Sequence, residues 1–326
     1  MKYLKIRIPG QIIQIPYLRI KGKKGDQRCV ISGGIHGDEV NGIALVREFI
    51  DYCRKKKIEE HLRGELIILP ILNESGFKDH VRTVAYDGKD LNRCFNRKTR
   101  TASNLIANAL ERNFYKKADI AIDCHDSGKR AILIPHARVH KFESKYCTEC
   151  TREMAQALGT KIIVERKGKG GMLAVEMMKK HNLPVLTIEV GGAMKVSHKF
   201  IKDSFEGIIN ILKHTRMLPG NPKIPQKQYY LHNRFGIAAK ESGLLKFDKR
   251  LGQRVHSGDK IGEIYVPAKA KVVDLIAPTC GLLFSMQHVD LVTDGEIMYS
   301  ILEDKKCHVR RRTVKHFEEI KNIRME

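Results

Sequence analysis

A chain of 326 residues with 42 % hydrophobic content is long enough for a large domain with a smaller companion, and too apolar for wholesale disorder. Its formal charge of +23 raises a nucleic-acid reading, yet Lys and Arg are spread over the whole chain, aromatics are 6 % and Trp is absent, so base-stacking platforms are hard to place. A solvated basic surface favouring anionic substrates is the plainer account, and no apolar run reaches the roughly 20 residues of a membrane helix.

The chain begins "MKYLKIRIPGQIIQIPYLRIKG", which alternates like a strand and lacks the apolar block of a signal peptide. Strand-like runs follow in "RCVISGG", "GELIILPIL", "ADIAIDC", "RAILIP", "KIIVE" and "LPVLTIEV". Helical periodicity follows in "GIALVREFIDYCRKK", "SNLIANALERNFYKK", "KYCTECTREMAQAL", "MLAVEMMKKH" and "SFEGIINILKHTRML". Strands apolar on both faces, alternating with helices, predict a mixed, largely parallel α/β sheet whose ligands sit beyond the carboxyl ends of the strands. The 8 Cys are scattered, as expected of reduced thiols in the cytoplasm. Cys147 and Cys150 share a helix face, but no second C-x-x-C completes a zinc quartet.

The proline-rich "PGNPKIPQ" at 219–226 marks a boundary. Beyond it an internal repeat runs from Gly243 and again from Gly281. Each copy has Gly-Leu-Leu, then Val255 before Gly258-Asp259 or Val292 before Gly295-Glu296. This predicts a small all-β barrel or sandwich with pseudo-twofold symmetry. It looks like the half-repeat of biotinyl- and lipoyl-carrier domains, without their lysine hairpin motifs. Lys269 is the one tempting substitute, and it reads as a plain surface lysine. The expected organisation is a hydrolase domain at 1–222, a carrier-like β module at 223–303 acting as a structural companion, and a basic tail at 304–326.

H-x-x-E occurs three times: His36/Glu39, His140/Glu143 and His316/Glu319. The last two fall in helical patterns, where such pairs are ordinary surface neighbours. The first differs in context. His36 follows strand "RCVISGG", Glu39 opens a helix, and Gly33, Gly34 and Gly37 permit a tight turn. An imidazole and a carboxylate at such a corner suit zinc, while Asp38 reads as the helix N-cap. A catalytic zinc needs a third protein ligand. His125, at the end of "ADIAIDCH", is a candidate whose alternative is a buried, hydrogen-bonded histidine. Glu189 ends "LPVLTIEV", where a buried carboxylate must be paired or working. The loop after "ELIILPIL" gathers Arg82, Asp90, Asn92 and Arg93.

Together, "GGIHGDEVNG", "DGKDLNRCF", His125 and "TIEVGG" resemble the succinylglutamate desuccinylase/aspartoacylase family of the zinc carboxypeptidase superfamily, across roughly residues 28–220. Members of that family also carry a β module of this kind. The resemblance implies one Zn2+ per chain on His36, Glu39 and His125, with Asp90 orienting His36. It implies that Arg82 polarises the scissile carbonyl, that Asn92 and Arg93 hold a substrate carboxylate, and that Glu189 is the general base. The family often has Pro where this chain has Asn96, which touches the loop's shape and substrate choice but not the metal ligands.

The activity so implied is a cytoplasmic, zinc-dependent deacylase that uses metal-activated water to cleave a small N-acyl amino acid or related carboxylate-bearing amide. A metallocarboxypeptidase trimming peptide C-termini shares the same clamp. A nucleic-acid-binding protein that keeps the fold is the rival from another class. The expected partner is a small anionic substrate rather than a membrane or nucleic acid, with self-association left open.

Overall fold

The computed structural model describes residues 1–141, 143–225 and 227–304. The described residues pack into two compact units, Met1–Lys129 with Pro135–Tyr230, and Arg130–Ile134 with residues 231–304.

In chain order, the first unit begins with β1 (Lys2–Ile8), β2 (Gln11–Lys21) and β3 (Lys24–Gly33), then α1 (Val40–Lys55), β4 (Arg63–Leu69), α2 (Glu74–Lys78), α3 (Ala102–Leu110) and β5 (Ile120–His125). β6 (Ala131–Leu133) belongs to the second unit. The first unit resumes with β7 (His136–Lys141), α4 (Lys145–Leu158), β8 (Ile162–Lys167), α5 (Leu173–His181), β9 (Val185–Glu189), α6 (His198–His214) and β10 (Tyr229–Leu231). Among the described residues, nine strands form one sheet in the order β1-β2-β4-β3-β5-β9-β7-β8-β10. The β4-β3-β5-β9 centre is parallel, whereas β2 meets β4, and β7 meets β9, antiparallel.

Sequence and position agree strand by strand. β5 lies between two neighbours and under helices on both faces, so all six of its residues are buried. Outer β1 alternates, burying Ile6 and Ile8 and exposing Lys5 and Arg7. One face is covered by α3 and α5, whose Ile106, Leu110, Leu173 and Met177 pack with Val30, Ile67, Leu69 and Val185. On the other face α1 and α4 each pack against α6. α1 buries Leu45, Val46, Phe49, Ile50 and Cys53, a stripe of helical period, and ends on Arg54 and Lys55, where cations suit the helix dipole.

Two expectations are corrected here. "RAILIP" does not enter the large sheet, because its three-residue β6 pairs with a strand of the second unit. His140 is not a helical surface residue: it lies in β7 and is buried, with Glu143 beyond the strand end. β7 itself escaped a pattern search because "HARVHK" is polar in composition, although four of its six residues are buried. The pair His316/Glu319 and the basic tail lie outside the described residues.

The second unit adds β11 (Arg234–Ala238), β12 (Gly243–Phe247), β13 (Arg254–Val255), β14 (Lys260–Val266), β15 (Lys271–Ile276), β16 (Gly281–Gln287), β17 (Leu291–Val292) and β18 (Ile297–Glu303). They form two antiparallel sheets, β11-β18-β16-β13 with β6 on β16, and β15-β14-β12-β17. The internal repeat is visible in the pairing. Gly243 of the first copy pairs with Val292 of the second, and Gly281 of the second pairs with Val255 of the first. Each copy thus lends its short strand to the other's long one. Lys269 sits in the turn between β14 and β15, exposed and ion-paired with Glu241.

Candidate metal centre and active site

β3, β5 and β9 run parallel in adjacent positions, so their carboxyl ends deliver His36, His125 and Glu189 to one region; His125 and Glu189 are register partners. The turn after β3 is tied to the end of β4, with Leu72 N–H donating to Gly33 (3.0 Å) and Asn73 N–H to Gly34 (2.8 Å). Gly34 takes φ +63° there, and a Cβ on Gly37 would lie 2.0 Å from the Gly76 carbonyl carbon. Only glycine fits this approach.

His36, Glu39 and His125 are buried, and one ligand atom from each lies within 4.8 Å of the others. Glu39 stands between the imidazoles: Nδ1 of His36 is 2.7 Å from Oε1, and Nδ1 of His125 is 2.8 Å from Oε2. The outer nitrogens are held as well. Nε2 of His36 meets Asp90 at 3.0 Å, and Nε2 of His125 meets Asp123 at 2.8 Å. A carboxylate behind each imidazole fixes ring orientation and raises its basicity, the arrangement usual around metal-bound histidine.

The electrostatics fit a cation. Burial opposes a charged Glu39, but the two histidines outweigh it and hold its carboxyl well below the usual range. Burial likewise opposes a charged His125, yet Asp123 and Glu39 raise it well above the ordinary imidazole range. Burial and the Glu39 charge push Asp126 up to about 7. Two imidazoles and a carboxylate, facing one another through Nδ1 and the Glu39 oxygens, form a donor set that suits zinc. Among the described residues it is the one His/Cys/Asp/Glu group with metal-ligand spacing. Cys147 is buried against Asn182, and Cys150 lies on the same helix without a third ligand.

Arg82 reaches in from the loop after α2, with Nη1 3.2 Å from Glu39 and Nε 3.2 Å from Asp90. That loop is pinned by Asn73, whose Oδ1 caps α2 at Gly76 N–H and whose Nδ2 donates to Thr83. Asp90 also caps the short turn Leu91–Arg93 by accepting from Asn92 N–H. Its carboxyl is lowered despite burial, through the His36 hydrogen bond and the charges of His36, Arg82 and Arg93. Asn92 is buried, and its Oδ1 caps α5 by accepting from Leu173 N–H (2.8 Å), leaving Nδ2 as its donor. Arg93 donates to the Asn92 carbonyl and makes no ion pair among the described residues.

Asp38 is not the N-cap of α1. It accepts from Lys129 N–H, while its Oδ1 is buried without a partner. Glu39 holds the cap position without a capping side-chain bond. The first turn is served instead from the end of β5, where Asp126 accepts from Asn41 N–H (2.7 Å) and Asn41 Nδ2 (3.0 Å). Sequence proximity favoured Asp38; the sheet brings Asp126 closer.

Two residues of the site went unread in the sequence. Asp123 precedes His125 by two on a strand, so both face one side, and that i, i+2 spacing was available as a signal. Arg138 on β7 lies against Glu189, Nη2 to Oε1 at 2.6 Å. Nothing local announced it, because the contact depends on β7 running antiparallel beside β9.

Residues 26–215 match the model of the succinylglutamate desuccinylase/aspartoacylase catalytic domain. The chain belongs to this family. An N-alpha-acetyl-L-2,4-diaminobutyric acid deacetylase of Halomonas elongata is 25 % identical over 300 residues, 89 % of this chain and 86 % of that one. Among solved structures, the product-bound ectoine utilization protein EutE (DoeB) of Ruegeria pomeroyi aligns with TM-score 0.84 and 24 % identity, covering 93 % of this chain and 94 % of that chain. A succinylglutamate desuccinylase/aspartoacylase of Rhodobacter sphaeroides aligns with TM-score 0.82 and 23 % identity over 93 % and 94 %. The family's fold therefore extends over both units. No helix among the described residues is long and apolar enough to cross a membrane.

Proposed function

We propose that the protein is a cytoplasmic zinc-dependent deacylase that hydrolyses the amide of a small N-acyl amino acid, with one zinc on His36, Glu39 and His125. The observation that carries this reading is the buried imidazole–carboxylate–imidazole triad with an aspartate behind each ring. Zinc held there supplies a Lewis acid and lowers the pKa of water, the two activations that a poor electrophile and a poor nucleophile lack. Asp90 and Asp123 hold the imidazole planes. Glu189, register partner of His125, takes a proton from the attacking water and returns it to the leaving amine, worth about 10²–10⁴-fold. Arg82 donates to the oxyanion, and Arg93 with the Nδ2 of Asn92 grips the substrate carboxylate.

The family match and the deacetylase relative favour an acyl amino acid over a peptide C-terminus. A hydrolysis screen of N-acetyl amino acids, N-succinyl amino acids and dipeptides with zinc supplied tests it. Release of free amino acid from at least one acyl series, exceeding that from dipeptides, is expected. Cleavage of dipeptides alone would make the protein a carboxypeptidase.

A further inference from the structure

On the face of the sheet that α3 covers, the side chains of β3, β5 and β9 change character toward the site. Val30, Ala121 and Val185, register partners, lie in the hydrophobic core. Two residues on, Ser32, Asp123 and Thr187 are again register partners, but polar and buried. Two further on come His125 and Glu189. Side chains two apart share a face, so the polar row lies directly behind the site. Buried polar groups there cost stability unless they are bonded or working. Ser32 Oγ donates to Asp123 Oδ1 at 2.9 Å, and Oδ2 meets Nε2 of His125 at 2.8 Å. An ionised carboxylate only accepts, so the direction of the Ser32 bond is fixed. The torsion that turns a carboxylate plane is broad and two-fold, and a partner on each oxygen is what stops it turning. Asp90, behind the other imidazole, is also held by Arg82 and by Asn92 N–H. Asp123 has Ser32 alone for its second oxygen among the described residues. Tyr115, in the turn that follows α3, is the contrast. Its buried hydroxyl makes no hydrogen bond; burial and the Asp123 charge push its pKa well up, with Ser32 acting the other way.

We propose that Ser32 is a positioning residue for the metal centre: its hydroxyl locks the Asp123 carboxylate, which in turn holds His125 with Nδ1 toward Glu39. The inference rests on the proposed zinc site, of which His125 is a ligand. It makes metal affinity depend on a serine that touches neither metal nor substrate. Without that hydroxyl, Oδ1 keeps its charge and loses its partner, and the carboxylate that orients Nε2 is free to turn.

The test is a thermodynamic cycle on the full-length protein, with zinc affinity read by competition with a chelator. Ser32→Ala should weaken zinc about tenfold, the low end of what losing an outer partner costs. In an Asp123→Asn background the same change should cost nothing more, because Ser32 acts only through Asp123. The visible spectrum of the cobalt(II)-loaded Ser32→Ala protein should shift as well, since a turned imidazole alters the ligand field, whereas a change in fold stability alone leaves it in place. Ser32→Cys, with a weaker donor, should lose less, and it keeps the test open if the Ala variant does not fold. Tyr115→Phe removes the neighbouring hydroxyl that holds nothing, so its affinity and spectrum should match the wild type. Wild-type affinity and spectrum in Ser32→Ala would overturn the role, as would losses that add across the cycle or an equal loss in Tyr115→Phe. A wild-type protein that holds neither ion would instead remove the zinc site itself, and the inference with it.

Discussion

Asp123 and Asp90 do the same work on opposite sides of the triad, and a single-atom change can test it. Asp123→Asn keeps the shape but weakens the hold on Nε2 of His125, so zinc affinity should fall about 10–100-fold in competition with a chelator, while a folded protein remains. Glu39→Gln should also weaken metal binding, because it removes the charge of the proposed central ligand. Glu189→Gln should keep zinc and lower turnover about 10²–10⁴-fold; if it lost zinc instead, ligand and base would be exchanged. His140 gives a pH prediction. Its folded value of about 3 lies below an unfolded value near 6.5, so between those limits the unfolded chain binds more protons. Stability from this residue is complete above about pH 6.5 and falls as pH drops, with a slope of up to about 1.4 kcal/mol per pH unit. Urea unfolding of metal-free protein from pH 7 to 5 should show that slope, reduced in His140→Gln. At this scale, what could be read from the sequence was what is local. His36 and Glu39 share a turn. Arg138 meets Glu189 only through the sheet, and the buried state of His140 depends on the strand it occupies.

Among elements, the turn between β3 and α1 is the most constrained. Gly37→Ala would drive a methyl into the Gly76 backbone, which cannot swing aside as a side chain could. The cost should exceed the ~1–3 kcal/mol of ordinary overpacking, read as a lower urea midpoint, and zinc affinity should fall with it. Gly37 has no left-handed φ, so that cost is steric; Gly88→Ala, at φ +66° with nothing within 4 Å of its added Cβ, shows by contrast the cost of left-handed strain alone. The long apolar strands and the amphipathic helices were legible because periodicity alone signals burial. β7 was not, since His136, Arg138 and His140 mask a buried strand, and β6 was read into the wrong sheet because three apolar residues carry no information about their partner. The repeat from Gly243 and Gly281 was legible for a different reason. Both glycines pack against backbone, with the nearest carbonyl oxygen 2.3 and 2.0 Å from an added Cβ, so each copy has the same steric need.

For the molecule as a whole, the metal should be a stabilising ligand as well as a chemical one. Free zinc at 1,000 times its dissociation constant adds about 4 kcal/mol to the folded state, so chelation should lower Tm by several degrees and zinc should restore it. The charge of +23 should speed capture of an anionic substrate, so kcat/KM should fall as salt rises, more steeply for a dicarboxylate than for a monocarboxylate. The central claim is that one zinc on His36, Glu39 and His125 makes this chain a deacylase. Its most direct test is to titrate metal-free protein with zinc while measuring hydrolysis of the best acyl amino acid from the screen. Activity should rise from near zero and saturate at about one zinc per chain, because one three-ligand site is proposed. Full activity in the chelated protein, or saturation only near two equivalents, would contradict the account.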